Sequence, residues 1–245
     1  MMSTVSQGRE RTRVYATATL AVIEAKLLLR DPGSLFTVVI PIFLLMVFGV
    51  SSAAGATAVL PATLATAIGL FGLYLVPTTL ATYRERGILR RLSVTPLSPT
   101  RLLVVQLLIQ TVLALASCVL LLCVAAGLGA ELPIDALSFA AAVVLGLASL
   151  LSCGLLIGAV APNGRVANGI GVLLYFPLAY VGGLILPPAL MPPAVREIGI
   201  VTPLGALRQA LADAWDGGGS ALSLGVMAAY AVCVSLVAAK FFRWE

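Results

Sequence analysis

The chain has 245 residues, 60% of them hydrophobic and only 10% charged, with a net charge of +5 at pH 7. Its mean hydropathy of +1.09 lies outside the usage of soluble domains, where charges are about a quarter of the residues, so this is a membrane protein without room for a separate soluble catalytic domain. It contains no histidine, which removes imidazole metal sites, histidine general bases and histidine proton relays together.

Crossing about 30 Å of hydrocarbon at about 1.5 Å per helical residue takes roughly 20 residues. A charge at mid-bilayer costs about 2.5–3.5 kcal/mol, so the gaps between ionisable residues count the spans. The 52 uncharged residues between Asp31 and Arg84 suit two crossings with a hairpin near Ser51–Thr57, and single-span gaps follow Arg101, Asp135, Arg165 and Asp216. Six spans result, at 34–50, 58–82, 102–128, 137–161, 166–187 and 220–240. A cleaved leader with Val38–Val50 as its apolar region competes with this, but the 33 residues ahead of that run, with Glu10, Glu24 and Asp31 among them, argue against it.

Ahead of the first span, Val14–Arg30 reads as a helix lying in the interface, and Arg30, Asp31 and Pro32 as a sharp turn into the membrane. Between the second and third spans, Arg84, Glu85, Arg86, Gly87, Ile88, Leu89, Arg90, Arg91 and Leu92 form the densest charge in the chain. On a helical wheel the four arginines share one side, with Ile88, Leu89 and Leu92 opposite. This predicts an amphipathic helix continuing out of the second span and ending before Pro96, because Thr95, preceding proline, disfavours helical geometry. Inside-positive topology alone gives no reason for that apolar stripe.

Within the spans no Asp, Glu, Lys or Arg reaches the middle, and Thr63, Thr66, Ser117, Ser149 and Ser152 are expected to bond back to their own backbone. Ion-driven carriers, proton pumps and most channels need stronger polar groups at that depth. Gly154 and Gly158, in G-x-x-x-G spacing, with Gly146, Gly169, Gly171, Gly182 and Gly183, let helices approach closely, and internal packing is favoured over a subunit interface. Pro41, Pro77 and Pro177 should kink their helices. Cys118, Cys123, Cys153 and Cys233 read as packing residues.

After the fifth span come Leu186, Pro187, Met191 and Pro192, then Thr202 and Pro203, a helix cap with proline at the first helical position. Leu204, Leu207, Leu211 and Trp215 line one face of the helix that follows, with Arg208, Gln209 and Asp213 elsewhere, until Asp216 and Gly217 stop it. It is expected to lie in the outer interface with Trp215 at headgroup level, as an apolar lid or as an anchor. Of the 15 basic residues, 13 fall on one side of the six spans and only Arg196 and Arg208 on the other, which places both termini in the cytoplasm.

Three stretches together resemble the permease subunits of type-2 ABC exporters, of the daunorubicin-resistance type: Leu27–Pro32 leading to Pro41, Arg84–Gly87 through Thr95–Pro99, and Gly182–Gly183 with Leu186–Pro187 and Met191–Pro192. The resemblance implies an all-α integral membrane protein forming a single transmembrane domain. Residues 1–33 would be the cytoplasmic tail and elbow helix, 34–187 spans one to five, 188–219 extracytoplasmic re-entrant or interfacial helices, and 220–245 span six with a cytoplasmic tail. A coupling helix would lie within 84–99 and dock on a separate ATPase subunit, which would carry ATP and Mg. It further implies two permeases, a homodimer or a pair of paralogues, exporting a small amphiphilic substrate across a bacterial cytoplasmic membrane, with no nucleic-acid partner.

The chain's own residues fit that division of labour. Lys26 and Lys240 are followed by Leu and Phe, so no G-x-x-x-x-G-K-[ST] phosphate cradle exists, and no metal or cofactor site is expected. A self-sufficient secondary carrier or channel is the alternative. A membrane scaffold or intramembrane enzyme is more distant, because no placed nucleophile, acid pair or metal cluster appears.

Overall fold

The computed structural model describes residues 32–51, 55–87, 99–218 and 221–241. The expected elbow helix, Arg30 and Asp31 of its turn, and Ile88, Leu89, Arg90, Arg91, Leu92, Thr95 and Pro96 lie outside the described residues. Among those described, all regular structure is helical. The helices are α1 (Pro32–Ser51), α2 (Gly55–Leu70), α3 (Val76–Glu85), α4 (Pro99–Gly127), α5 (Ala136–Val160), α6 (Gly164–Val181), α7 (Pro193–Ile200), α8 (Pro203–Asp216) and α9 (Ala221–Phe241).

Among the described residues, five helices are long and apolar enough to cross a membrane: α1, the continuous rod Gly55–Glu85, α4, α5 and α9. The segment expected as a fifth span over 166–187 is helical only over Gly164–Val181, 18 residues, or about 27 Å. The helix stops early because Gly183 takes a left-handed conformation, φ +76°, which only glycine adopts without strain.

The rod is the axis of the bundle. Its hydrophobic window is 78% buried, against 28% in α1 and α4 and 17% in α9; α1 and α4 pack against the rod, α9 packs on α5 and α8, and all three present apolar faces outward. The rod joins α2 to α3 through a π-helical turn at Phe71–Leu75, directly before Pro77. Proline has no N–H and its ring crowds the carbonyl four residues back, so the ladder widens there. The Thr78 and Thr79 hydroxyls donate to the carbonyls of Tyr74 and Leu75 at 2.7 and 2.8 Å, satisfying groups within that turn.

The carbonyl oxygens of Gly72 and Leu73 meet neighbouring helices at points where only glycine fits: a Cβ on Gly154 of α5 or Gly171 of α6 would lie 2.0 or 2.1 Å from them. Gly158 likewise leaves room for Leu80. The G-x-x-x-G pair is thus an internal packing seam. Gly169 has nothing within 4 Å and takes no part in it. Pro41 and Pro177 sit inside α1 and α6 as expected, and α2 also contains Pro61, which the sequence pattern did not single out.

The hydroxyls of Thr63, Thr66, Ser149 and Ser152 bond to carbonyls three or four residues back, at 2.9, 2.8, 2.9 and 2.6 Å. Ser152 also meets Ser235 of α9 at 2.7 Å. Ser117 departs from the expectation, for its buried hydroxyl has no partner among the described residues. The four cysteines are free thiols, Cys118 buried and Cys153 half-buried, with Cys123 and Cys233 on the outside.

Candidate functional site

Two clusters of polar side chains occupy opposite ends of α5, and an apolar cavity lies on the flank of the bundle. At the first end, the last turn of α3 carries Arg84 and Glu85. The Arg84 guanidinium donates to the Ala159 carbonyl at 2.6 Å and to the Ala161 carbonyl, capping the C-terminus of α5. The Glu85 carboxylate accepts the Gly164 N–H at 3.1 Å, at the N-terminus of α6, where Asn163 caps Val166 N–H at 2.8 Å. A cation stands at the negative pole of one helix dipole and an anion at the positive pole of the next. Two residues adjacent in sequence therefore hold three helix ends in one knot.

This corrects the sequence expectation. Arg84 and Glu85 direct their hydrogen bonds into the chain itself, and the helix does not continue through Gly87. It ends at Glu85, with Gly87 at φ +65° and its N–H on the Arg84 carbonyl at 3.0 Å. A left-handed glycine after the last turn is an ordinary helix stop, so the helix that carries Arg84 ends ahead of Ile88. Arg86 is exposed in the turn, and Pro32 is the first residue of α1.

At the other end α8 is built as its sequence signals suggest. The Thr202 hydroxyl accepts the Gly205 N–H at 3.2 Å, and Gly217 at φ +68° closes the helix. Its surroundings differ from expectation, for Leu204, Leu207 and Leu211 are fully buried and the helix packs on α5, α9 and α2. It sits within the bundle and does not lie flat on the outer interface. Leu207 enters the space left by Gly146, where a Cβ would be 2.4 Å away, and that space accounts for the inward position. Trp215 is also buried, its indole N–H donating to the Glu131 carbonyl at 2.9 Å and its ring edge-on to Phe139 at 5.6 Å. With the Asp135 N–H on the Ala214 carbonyl at 3.0 Å, the α4–α5 connection is latched to the end of α8.

Gly182 caps α6 and touches Gly205, while Gly199 lies against the Val181 carbonyl and Gly205 against that of Gly199. Sequence reasoning named Gly182 and Gly183 but missed Gly199 and Gly205, whose spacing follows no single helix. Leu186 is half-buried, Pro187 and Pro192 are exposed, and Met191 is buried.

Beside this glycine contact is a cavity of about 520 Å³ whose charged lining is Arg196, Arg208 and Asp213. Arg208 donates to the Gln209 side-chain oxygen at 2.6 Å, and Gln209 donates to Asp213 at 2.7 Å. Burial lowers the Arg208 pKa below its ordinary value, with Asp213 opposing, and its buried Nε has no acceptor among the described residues. The sequence signal was present but went unused: Arg196 and Arg208 are the two basic residues set apart from the other 13.

The second cavity, about 490 Å³, lies between α1, the rod and α6, lined by Phe36, Thr37, Ile40, Tyr74, Tyr175 and Phe176 among others. Its walls are apolar with a few hydroxyls, which suits a molecule with a greasy body and a small polar group.

The described residues form a helical bundle with a charged knot at one end, a buried helix at the other and no Asp, Glu, Lys or Arg between them. The sequence pattern of the ABC-2 type transporter family matches residues 15–213, most of the chain, and the protein belongs to that family. Membership makes it a multi-pass membrane component of an ABC transporter and implies partnership with an ABC ATPase subunit. No curated protein matches the chain.

Proposed function

We propose that the chain is the permease subunit of an ATP-driven exporter, moving a small amphiphilic substrate out across a bacterial cytoplasmic membrane. In this reading α6 is a sixth, short span, both termini are cytoplasmic, and the Arg84 end of the bundle faces the cytoplasm. ATP and Mg belong to a separate ATPase, which docks on the segment that follows Gly87. Two copies, or this chain and a paralogue, enclose the pathway. Phe36, Val39 and Phe43 of α1 and Leu173 and Phe176 of α6, each more than half exposed, supply the apolar face for the second permease and the lipid.

The observation that carries the reading is the knot at Arg84 and Glu85. A displacement of the segment after Gly87 acts directly on the end of α3, and through these two side chains on the end of α5 and the start of α6. A docked ATPase thereby moves three helices as one body. The substrate class rests on the apolar cavity between α1, the rod and α6.

Reconstitution with the ATPase tests the proposal. The pair should transport an amphiphilic probe only with hydrolysable ATP, and the chain alone should not. Leu89→Asp should leave membrane insertion intact while separating ATP hydrolysis from transport. Normal transport by that variant would remove the docking role of the segment, and transport by the chain alone down an ion gradient would establish a self-sufficient carrier instead.

A further inference from the structure

The charged lining of the cavity at the Trp215 end carries one more cation than anion. Two arginines line it against one carboxylate, Asp213, whose hydrogen-bonded link to Arg208 runs through the Gln209 amide. The guanidinium of Arg208 keeps its proton at any accessible pH, so its buried Nε–H, which has no acceptor among the described residues, remains a donor in want of a partner. Leaving such a donor unmet costs about 1–3 kcal/mol, more when charged. The mechanism of export described above does not use this group.

The shape of the cavity supports a ligand. Gly183, left-handed at φ +76°, takes the chain past Arg208 without a side chain, and a Cβ there would come within 3.5 Å of the Nε and 2.9 Å of Pro188. The rest of the lining includes Val181, Met191, Ile200 and Leu222, apolar groups that would accept the hydrocarbon adjoining a headgroup. A guanidinium fork with a second arginine beside it is complementary to a phosphate-type oxyanion, which takes two parallel N–H bonds from one side chain.

We propose that this cavity binds one phosphate-type oxyanion carried on an amphiphile, with Arg208 supplying the fork and Arg196 the second positive charge. The site is separate from the apolar cavity and from the ATPase-docking segment, and it does not depend on the export reading. An anion of this kind has two sources, a phospholipid headgroup or free phosphate.

Full-length protein in nanodiscs of phosphatidylcholine, with or without phosphatidylglycerol, tests it by native mass spectrometry of retained lipid, and by thermal shift with inorganic phosphate in phosphatidylcholine alone. The wild type should retain phosphatidylglycerol, and Arg208→Gln should lower that retention about tenfold, as loss of a charge-assisted pair does. Arg208→Lys should restore only part of it, and Asp213→Asn should raise it, because removing the competing carboxylate strengthens an anion site. A merely structural role for Asp213 predicts the opposite sign. Retention that depends on Arg208 with no phosphate shift assigns a lipid headgroup, and an Arg208-dependent phosphate shift alone assigns a free oxyanion. If Arg208→Gln fails to fold, the opposed responses of Arg208→Lys and Asp213→Asn decide. Wild-type lipid retention and phosphate response in Arg208→Gln, or weakened binding in a folded Asp213→Asn, would overturn the proposal. Since no ATPase or transport enters the measurement, its failure leaves the export reading untouched.

Discussion

The two ends of α5 carry the same kinds of side chain and treat them differently. At the Arg84 end an arginine and a carboxylate each meet a helix terminus, cation on exposed carbonyls and anion on an exposed N–H, so both charges are matched within the chain. At the Trp215 end Asp135 caps only its own helix, the ties between helices are an indole N–H and a backbone amide, and the nearby arginine keeps an Nε with no acceptor among the described residues. The difference teaches how to separate structure from recognition in a protein with few charges. A charge whose bonds are complete within the fold works as a strut, and one whose bonds are incomplete in a cavity is available to a ligand. Four substitutions or titrations break or sharpen that contrast.

The largest effect is expected from the packing that makes α5 a common member of both ends. Gly154→Ala would place a Cβ 2.0 Å from the Gly72 carbonyl, and neither backbone can withdraw without disturbing the π-helical turn. The cost should be about 3 kcal/mol, the upper end for overpacking, read as a fall in unfolding temperature in detergent. Gly169→Ala, with open space around it, is the control and should change little. An unchanged melting point for Gly154→Ala would mean that the ends are not rigidly joined.

Next comes the strut. Arg84→Met keeps an unbranched apolar stem but removes both bonds to the end of α5, at a cost of about 2 kcal/mol for a half-exposed, charge-assisted pair at a helix dipole. Arg84→Lys should recover only part, since an ammonium does not span two carbonyls as a planar guanidinium does. In the assembled transporter both should lower the transport achieved per ATP hydrolysed. If melting falls while that ratio stays constant, Arg84 stabilises the bundle without transmitting force.

Much of this was legible in the residues, and the parts that were not share a cause. The spacing of charges located the helices α1, α4, α5 and α9 and the rod within a few residues, because desolvation at membrane depth is decided residue by residue. The Thr202 cap, the Gly217 stop and the leucine face of α8 were likewise local signals. What a one-dimensional pattern did not carry was the partner of each face. The stripe Leu204, Leu207, Leu211 and Trp215 reads the same whether it meets lipid or protein. Only the space at Gly146 shows that Leu207 meets α5. The Arg84–Gly87 motif stood out by its charge, yet its bonds to Ala159, Ala161 and Gly164 join residues more than 70 positions apart. Gly87 did mark the helix end, a signal outweighed by the apolar positions beyond it.

A smaller effect tests the neutral latch. Trp215→Phe keeps an aromatic ring against Phe139 and deletes the bond to the Glu131 carbonyl, which should cost about 1 kcal/mol. The consequence should be local, with faster amide exchange in the α4–α5 connection and normal protection at the Arg84 end. Equal loosening at both ends would show that the two clusters are one cooperative unit.

The smallest effect is a titration at the Trp215 end. Asp135 caps α5, where its carboxylate accepts the Ser138 hydroxyl at 2.6 Å and the N–H groups of Ser138 and Leu137 at 3.0 and 3.1 Å. The Ser138 hydroxyl and then its N–H hold the carboxyl below the usual range, with burial opposing them and the Leu137 N–H adding to them. A carboxyl whose pKa is lower in the folded chain stabilises the fold when ionised. That contribution is present above the ordinary aspartate value of about 4 and disappears as pH falls through the lower, folded one. The group is solvent-exposed, so the change should be slight. Melting curves from about pH 7 to about pH 3 should show a decline that Asp135→Asn, which keeps a capping oxygen but cannot ionise, removes. Because Asp135 caps the helix that also ends at Arg84, an identical decline in Asp135→Asn would show that the acid sensitivity does not arise at this cap.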